Sequence, residues 1–182
     1  MKLIETGIKD LYIIEPTIYE DKRGYFYESY NKRLFEENSL NYDFVQDNQS
    51  KSSYGVIRGL HYQLKPYAQA KLVRVLRGRV LDVVVDLRKD SDTFGKTFSV
   101  ELSEDNHRQF LIPRGFAHGF SVLSNEAVFF YKCDNYYNKD AERGIIYNDV
   151  KLSIDWKIPE DKVIVSPKDL KNLPFDEAEK NF

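Results

Sequence analysis

The chain of 182 residues has one cysteine, Cys133, so an internal disulfide is impossible, and one cysteine with three histidines cannot build a cysteine-rich zinc site. Its redox compartment is unconstrained and consistent with the cytosol. Long apolar runs are also scarce. Val83-Val84-Val85 is far shorter than a membrane span, and Met1 to Leu11 carries Glu5 and Asp10 without an apolar leader core, so neither export nor membrane insertion is expected. Excess charge is missing too: 27 Lys and Arg against 29 Asp and Glu leave a net charge of −2. That balance argues against the broad basic surface of nonspecific nucleic-acid binding, while leaving room for local basic pockets that take small anions. There is no G-x-G-x-x-G, no P-loop and no G-x-S-x-G, which removes the common phosphate-cradling turns and the nucleophile elbow. No repeat, low-complexity tract or Pro/Gly-rich linker divides the chain, so residues 1–182 read as one domain.

Aromatic residues are plentiful, with 13 Tyr and 12 Phe, and supply ample material for a core. Strand-like runs of period two dominate: Leu11–Glu15, Tyr25–Tyr30, Phe44–Ser50, Val56–Gln63, Lys71–Leu76, Val80–Leu87, Thr97–Leu102, Gln109–Ile112, Phe116–Leu123 and Ala127–Asp134. The runs on either side of Gly78 read as a hairpin. Helical signal is confined to Asn31–Leu40 and a turn or two within Pro167–Phe182, the latter expected to form an ordered strap. The pattern predicts an all-β sandwich or barrel with short peripheral helices.

Alternation along these strands carries chemistry. Lys71 shares a face with Val73 and Val75, and Tyr131 with Phe129 and Cys133; Ile57, Gly59, His61 and Gln63 form a third such face, and Asp82, Val84 and Asp86 a fourth. If these faces line the inside of a barrel, its lumen gathers His, Lys, Tyr and Asp, which makes a poor core and a good pocket. His107 sits in a polar turn and reads as a solvated loop residue. His61 and His118 lie in strand-like surroundings, where a hydrogen-bonded structural role is the commoner outcome. They are too few for a three-ligand catalytic metal site, because Gln63 stands where an H-x-H pair would place its second ligand. Cys133 has no signature around it and reads as a small inward-facing hydrophobe.

What remains is an acid–base set. An imidazole base, a phenol donor and a cation at a developing enolate oxygen are the parts needed to abstract a proton alpha to a carbonyl. Arg23, Arg58, Arg74 and Arg114, interleaved with aromatic residues, would suit a substrate carrying phosphates and a flat base, although each alone could be a solvated strand edge.

Ordered segments over nearly the whole chain resemble the dTDP-4-dehydrorhamnose 3,5-epimerase family. They are Asp21–Glu28, Gln46–Asn48, Val56–Gln63, Gln69–Arg74, Gly78–Arg88, Ile112–Phe120, Tyr131–Tyr137 and Ser166–Asp169. The resemblance implies a cupin-like jelly-roll barrel and a cofactor-free isomerase without metal. It would epimerise dTDP-4-dehydro-6-deoxy-D-glucose at C3 and C5. His61 would be the base, supported by Asp169, a pairing that spacing alone does not reveal. Lys71 would stabilise the enolate, and Tyr131 would deliver a proton from the opposite face. Asp82 resembles a pocket carboxylate near Lys71. Substrate contacts are implied for Arg23, Phe26, Glu28, Gln46, Asn48, Arg58, His118 and Tyr137. The family resemblance also implies a homodimer with exchanged N-terminal strands, in which Arg23, Phe26 and Glu28 serve the neighbouring subunit. Asn138–Ala141 departs from the family's usual small residue and proline before Glu142-Arg143-Gly144, so the loop beside the nucleotide differs in shape. Two alternatives stand beside this reading: a relative that inverts only C3 or takes another dTDP-ketosugar, and a catalytically silent sugar-nucleotide binder.

Overall fold

The computed structural model describes all 182 residues. Strands are numbered in chain order. One sheet runs β1 (Lys2–Glu5), β2 (Tyr12–Glu15), β10 (Gln109–Ile112), β7 (Lys71–Arg77), β12 (Glu126–Cys133) and β5 (Gln46–Ser53). The facing sheet runs β13 (Glu142–Gly144), β6 (Val56–Gln63), β11 (Phe116–Val122), β8 (Arg79–Asp86) and β9 (Thr97–Ser103), with β14 (Ile164–Val165) added parallel to β6. Every other pairing is antiparallel, as expected for a cupin-like jelly roll. No helix is long and apolar enough to cross a membrane.

The core lies between the sheets, where Val73, Val75, Val84, Phe110, Phe120 and Phe129 pack together. Each sheet is also covered on its outer face. Trp156, with Phe175 and Ala178 of the C-terminal strap, seals Leu60, Val83, Val85 and Ala117, while Phe35 covers Ile14, Leu72 and Leu111. Double coverage explains why β8 and β11 read as near-continuous apolar runs instead of clean alternation.

Phe35 belongs to the one α-helix, α1 (Lys32–Glu37), which is shorter than the expected Asn31–Leu40. Asn31 caps it by accepting from the Arg33 and Leu34 amides. The strap contributes a 3-10 turn at Asp169–Lys171.

Two expectations are corrected. β7 and β8 do not form a hairpin: they lie in opposite sheets, β7 between β10 and β12 and β8 between β9 and β11. Gly78 alone separates them, and one residue is too few for a two-residue hairpin loop, so the chain turns a corner into the facing sheet. The corner requires glycine. Its φ is +78°, and a Cβ there would stand 2.1 Å from the Glu126 carbonyl oxygen. Gly78→Ala is expected to cost about 2–3 kcal/mol of stability, read as a lower urea midpoint at unchanged slope.

The second correction concerns Tyr25–Tyr30. Only β4 (Gly24–Phe26) forms, paired with β3 (Tyr19–Asp21) in an exposed two-stranded hairpin that joins neither sheet. Tyr25 and Tyr27 instead pack on His107, with ring centroids 4.6 and 5.3 Å away, so that histidine is part of an aromatic cluster and not a merely solvated loop residue.

Candidate active site

A cavity of about 730 Å³ opens between the two sheets. β6 and β11 supply Arg58, His61 and His118 from one sheet; β7 and β12 supply Lys71 and Tyr131 from the other, and the edge strand β5 adds Asn48 and Ser50. Ser166, Lys168 and Asp169 of the strap close one side.

β6 reaches this arrangement by breaking its alternation. His118 pairs with His61 and Phe120 with Arg58, so β6 carries one residue more than β11 across that interval. This is a bulge at Gly59. Gly59 has φ +130°, and a Cβ on it would fall 2.5 Å from the Gly119 Cα. The bulge turns both Arg58 and His61 inward, while Ile57 and Leu60 pack into the outer core. The expectation that Ile57, Gly59, His61 and Gln63 share one face therefore fails, because it assumed uninterrupted pleating.

His61 Nε2 lies 2.7 Å from Asp169 Oδ1, across 108 residues of chain. Burial pushes the Asp169 carboxyl up, but its hydrogen bond and charge interaction with His61, aided by the Gly59 amide, outweigh that and hold it below its usual range. An ionised carboxylate only accepts, so Nε2 carries the proton and the Nδ1 lone pair is the basic position. The Asp169 side chain is 6% exposed and that of His61 33%, so the imidazole is open to the cavity while the carboxylate stays covered.

Lys71 and Tyr131 form the facing wall. The Lys71 ammonium sits 5.8 Å from the Tyr131 ring centroid. Burial lowers the lysine's pKa and raises the phenol's, which keeps Tyr131 protonated near neutrality. Cys133, cross-strand partner of Lys71, is buried, consistent with its reading as a small inward residue.

Asp82 does not line the cavity. It is fully buried behind His118, whose Nε2 lies 3.0 Å from both carboxylate oxygens. Burial pushes Asp82 up and His118 down. Asp86, also inward, serves a different end of the barrel by accepting from Arg88, Ser91 and Thr93.

Of the four arginines singled out for anions, only Arg58 reaches the cavity, steadied by a 3.0 Å bond to Ser52 Oγ. Arg23 pairs with Asp21, Arg74 lies over Phe130 and bonds Tyr27, and Arg114 pairs with Asp134. Gln46 and Tyr137 do not line the cavity; the Gln46 amide nitrogen donates to Asn48 Oδ1 and its oxygen accepts from the Tyr137 amide. Arg23, Phe26 and Glu28 do not meet their own chain's cavity; Phe26 is 66% exposed on the projecting hairpin, and Glu28 bonds Asn31.

Sequence reasoning missed Ser50, Lys168 and Glu142. Ser50 could have been found, since Gln46, Asn48, Ser50 and Ser52 form one polar face of β5. Lys168 lines the cavity and bonds Glu142 Oε2 at 2.6 Å; the same oxygen accepts from Tyr137 Oη at 2.8 Å. Tyr137 is thus joined through Glu142 to Lys168, which lines the cavity.

Residues 5–177 match the family model described as dTDP-4-dehydrorhamnose 3,5-epimerase. A Shigella flexneri protein of that name is 52% identical over 180 residues, covering 98% of each chain. The crystal structure of the enzyme so named from Elizabethkingia anophelis superposes with a TM-score of 0.94 at 62% identity, covering 97% of each chain. A dTDP-6-deoxy-D-glucose-3,5-epimerase from Legionella pneumophila, solved in complex with dTDP-4-keto-L-rhamnose, gives 0.92 at 51% identity, covering 97% of this chain and 93% of that one.

Proposed function

This chain belongs to the dTDP-4-dehydrorhamnose 3,5-epimerase family, and we propose that the cavity between its sheets performs that isomerisation with His61 as base, Lys71 as enolate stabiliser and Tyr131 as acid. The reaction converts dTDP-4-dehydro-6-deoxy-D-glucose to dTDP-4-dehydro-L-rhamnose by inverting C3 and C5.

Both carbons are alpha to the C4 ketone. Removal of either proton by His61 Nδ1 sends the electron pair to the C4 oxygen as an enolate, where the Lys71 ammonium offsets the developing charge. Return of a proton to the opposite face of that carbon regenerates the ketone with inverted configuration. One residue returning its own proton would restore the starting centre, so inversion needs a second donor. The observation that carries the assignment is that His61 and Tyr131 project into one cavity from opposing sheets.

Arg58 and Lys168, the cations at this cavity besides Lys71, are assigned to the diphosphate, with His118, Asn48 and Gln46 nearby and Tyr137 on the nucleotide side. Asp82 acts through His118 instead of touching substrate. Residues 1–182 work as one domain, and two chains pair by exchanging N-terminal strands. The projecting hairpin with exposed Phe26 supports this, since Arg23, Phe26 and Glu28 find no place at their own cavity.

The test is incubation with the ketosugar nucleotide in heavy water. Deuterium is expected at both C3 and C5 of recovered sugar. Label at C3 alone would select a single-centre epimerase, and none at either carbon would remove the acid–base assignment.

A further inference from the structure

Gln63 follows His61 by two residues and is 95% shielded from solvent, with a relative exposure of 5%, yet it has no part in the proton chemistry above. All three of its side-chain hydrogen bonds go to backbone. Its amide nitrogen donates to the Tyr67 carbonyl at 2.7 Å and the Tyr136 carbonyl at 3.2 Å, and its amide oxygen accepts from the Asn138 N–H at 2.7 Å. The Tyr136 and Asn138 bonds bracket Tyr137, so the backbone on either side of that residue is fixed by one buried side chain. Asn138 adds an Asx turn, its side-chain oxygen accepting from the Asp140 and Ala141 amides, in the segment where this chain departs from the usual small residue and proline.

We propose that Gln63 is a positioning residue for nucleotide binding, a clamp that holds the 136–138 segment so that the Tyr137 hydroxyl stays on Glu142, whose same oxygen bonds the cavity-lining Lys168. This rests on the reading of Tyr137 as a nucleotide contact. The residue is 55% exposed, so the direction of its side chain depends on its backbone and its bond to Glu142 more than on packing. An exposed tyrosine on an unfixed loop would lose conformational freedom at each binding event; one already held does not. Removing Gln63 also takes a partner from three partly buried backbone groups, a cost borne by the loop and not by the reacting atoms.

The test compares Gln63→Leu, Tyr137→Ala and the double variant by initial rates on the ketosugar nucleotide and by calorimetry with dTDP alone. Gln63→Leu is expected to raise both KM and the dTDP Kd about tenfold while kcat stays within about twofold. Gln63→Met, which keeps the side-chain length and loses all three bonds without burying a charge, should match Gln63→Leu, and it stands in if the leucine variant does not fold. In the double variant, Gln63→Leu should add little to the effect of Tyr137→Ala. An unchanged KM and Kd in the Gln63 variants beside a weakened Tyr137→Ala overturns the clamp. Full additivity, or a loss of kcat at constant KM, overturns it as well. No effect of Tyr137→Ala overturns the nucleotide contact itself, separately from the clamp.

Discussion

His61→Ala is expected to lower kcat about 1,000-fold, within the range that loss of a positioned general base costs, and to leave KM nearly unchanged. The side chain makes no ion pair beyond Asp169 and packs in no apolar cluster, so its removal subtracts proton transfer and little else. Deuterium incorporation should fall at C3 and C5 together, because one imidazole serves both carbons. Stopped or rapid-quench measurement of exchange in heavy water checks this. A variant that kept full exchange at either carbon would require a second base, and no other histidine qualifies: His118 is buried against Asp82, and His107 lies in the aromatic cluster with Tyr25 and Tyr27.

Lys71→Met should lose about 100- to 1,000-fold in kcat, the scale of removing one preorganised charge from a developing oxyanion. Methionine keeps most of the volume and none of the charge. The ammonium lies beside the Tyr131 ring instead of on a carboxylate, so its field is available to a ligand oxygen. A pH signature accompanies the loss. Burial lowers the pKa of Lys71, so the activating charge disappears as pH rises through a value below the free-lysine range. The parent's kcat should therefore decline on the alkaline side earlier than an exposed lysine would impose. Lys71→Met should lack that limb. A pH–rate profile of unchanged shape in the variant would move the role of enolate stabiliser elsewhere.

Much of the fold could be read from period-two patterning, and the failures share a cause. Val56–Gln63 and Gln109–Ile112 form with the bounds expected, because turn residues delimit them, Gly55 before the first and Pro113 after the second. Partner choice was not legible: β7 and β8 are strands as expected, but their pairing depends on which distant strand is available, information that alternation does not contain. The face assignments of Lys71 and Tyr131 hold because β7 and β12 keep their pleat there, whereas that of Ile57 with His61 fails at a bulge caused by two glycines meeting across strands. The contact of Asp169 with His61 spans 108 residues and entered through family resemblance, since no local rule links a strand histidine to a carboxylate in a C-terminal turn. Lys168 escaped for the same reason, and composition alone cannot show that within its own chain Arg23 pairs with Asp21, Arg74 lies over Phe130 and Arg114 pairs with Asp134.

The strap couples the proposed base to the docking of the C-terminal tail. Lys168 and Asp169 sit a few residues before Phe175 and Ala178, whose insertion seals the outer face of the sheet that carries His61. A tail that has peeled away takes with it the carboxylate that fixes the imidazole's proton on Nε2, so the barrel would persist with an unprimed base. Fraying at this end should silence the enzyme before it unfolds it, and recovery after such an opening should follow the re-docking of one tail segment instead of the refolding of a barrel.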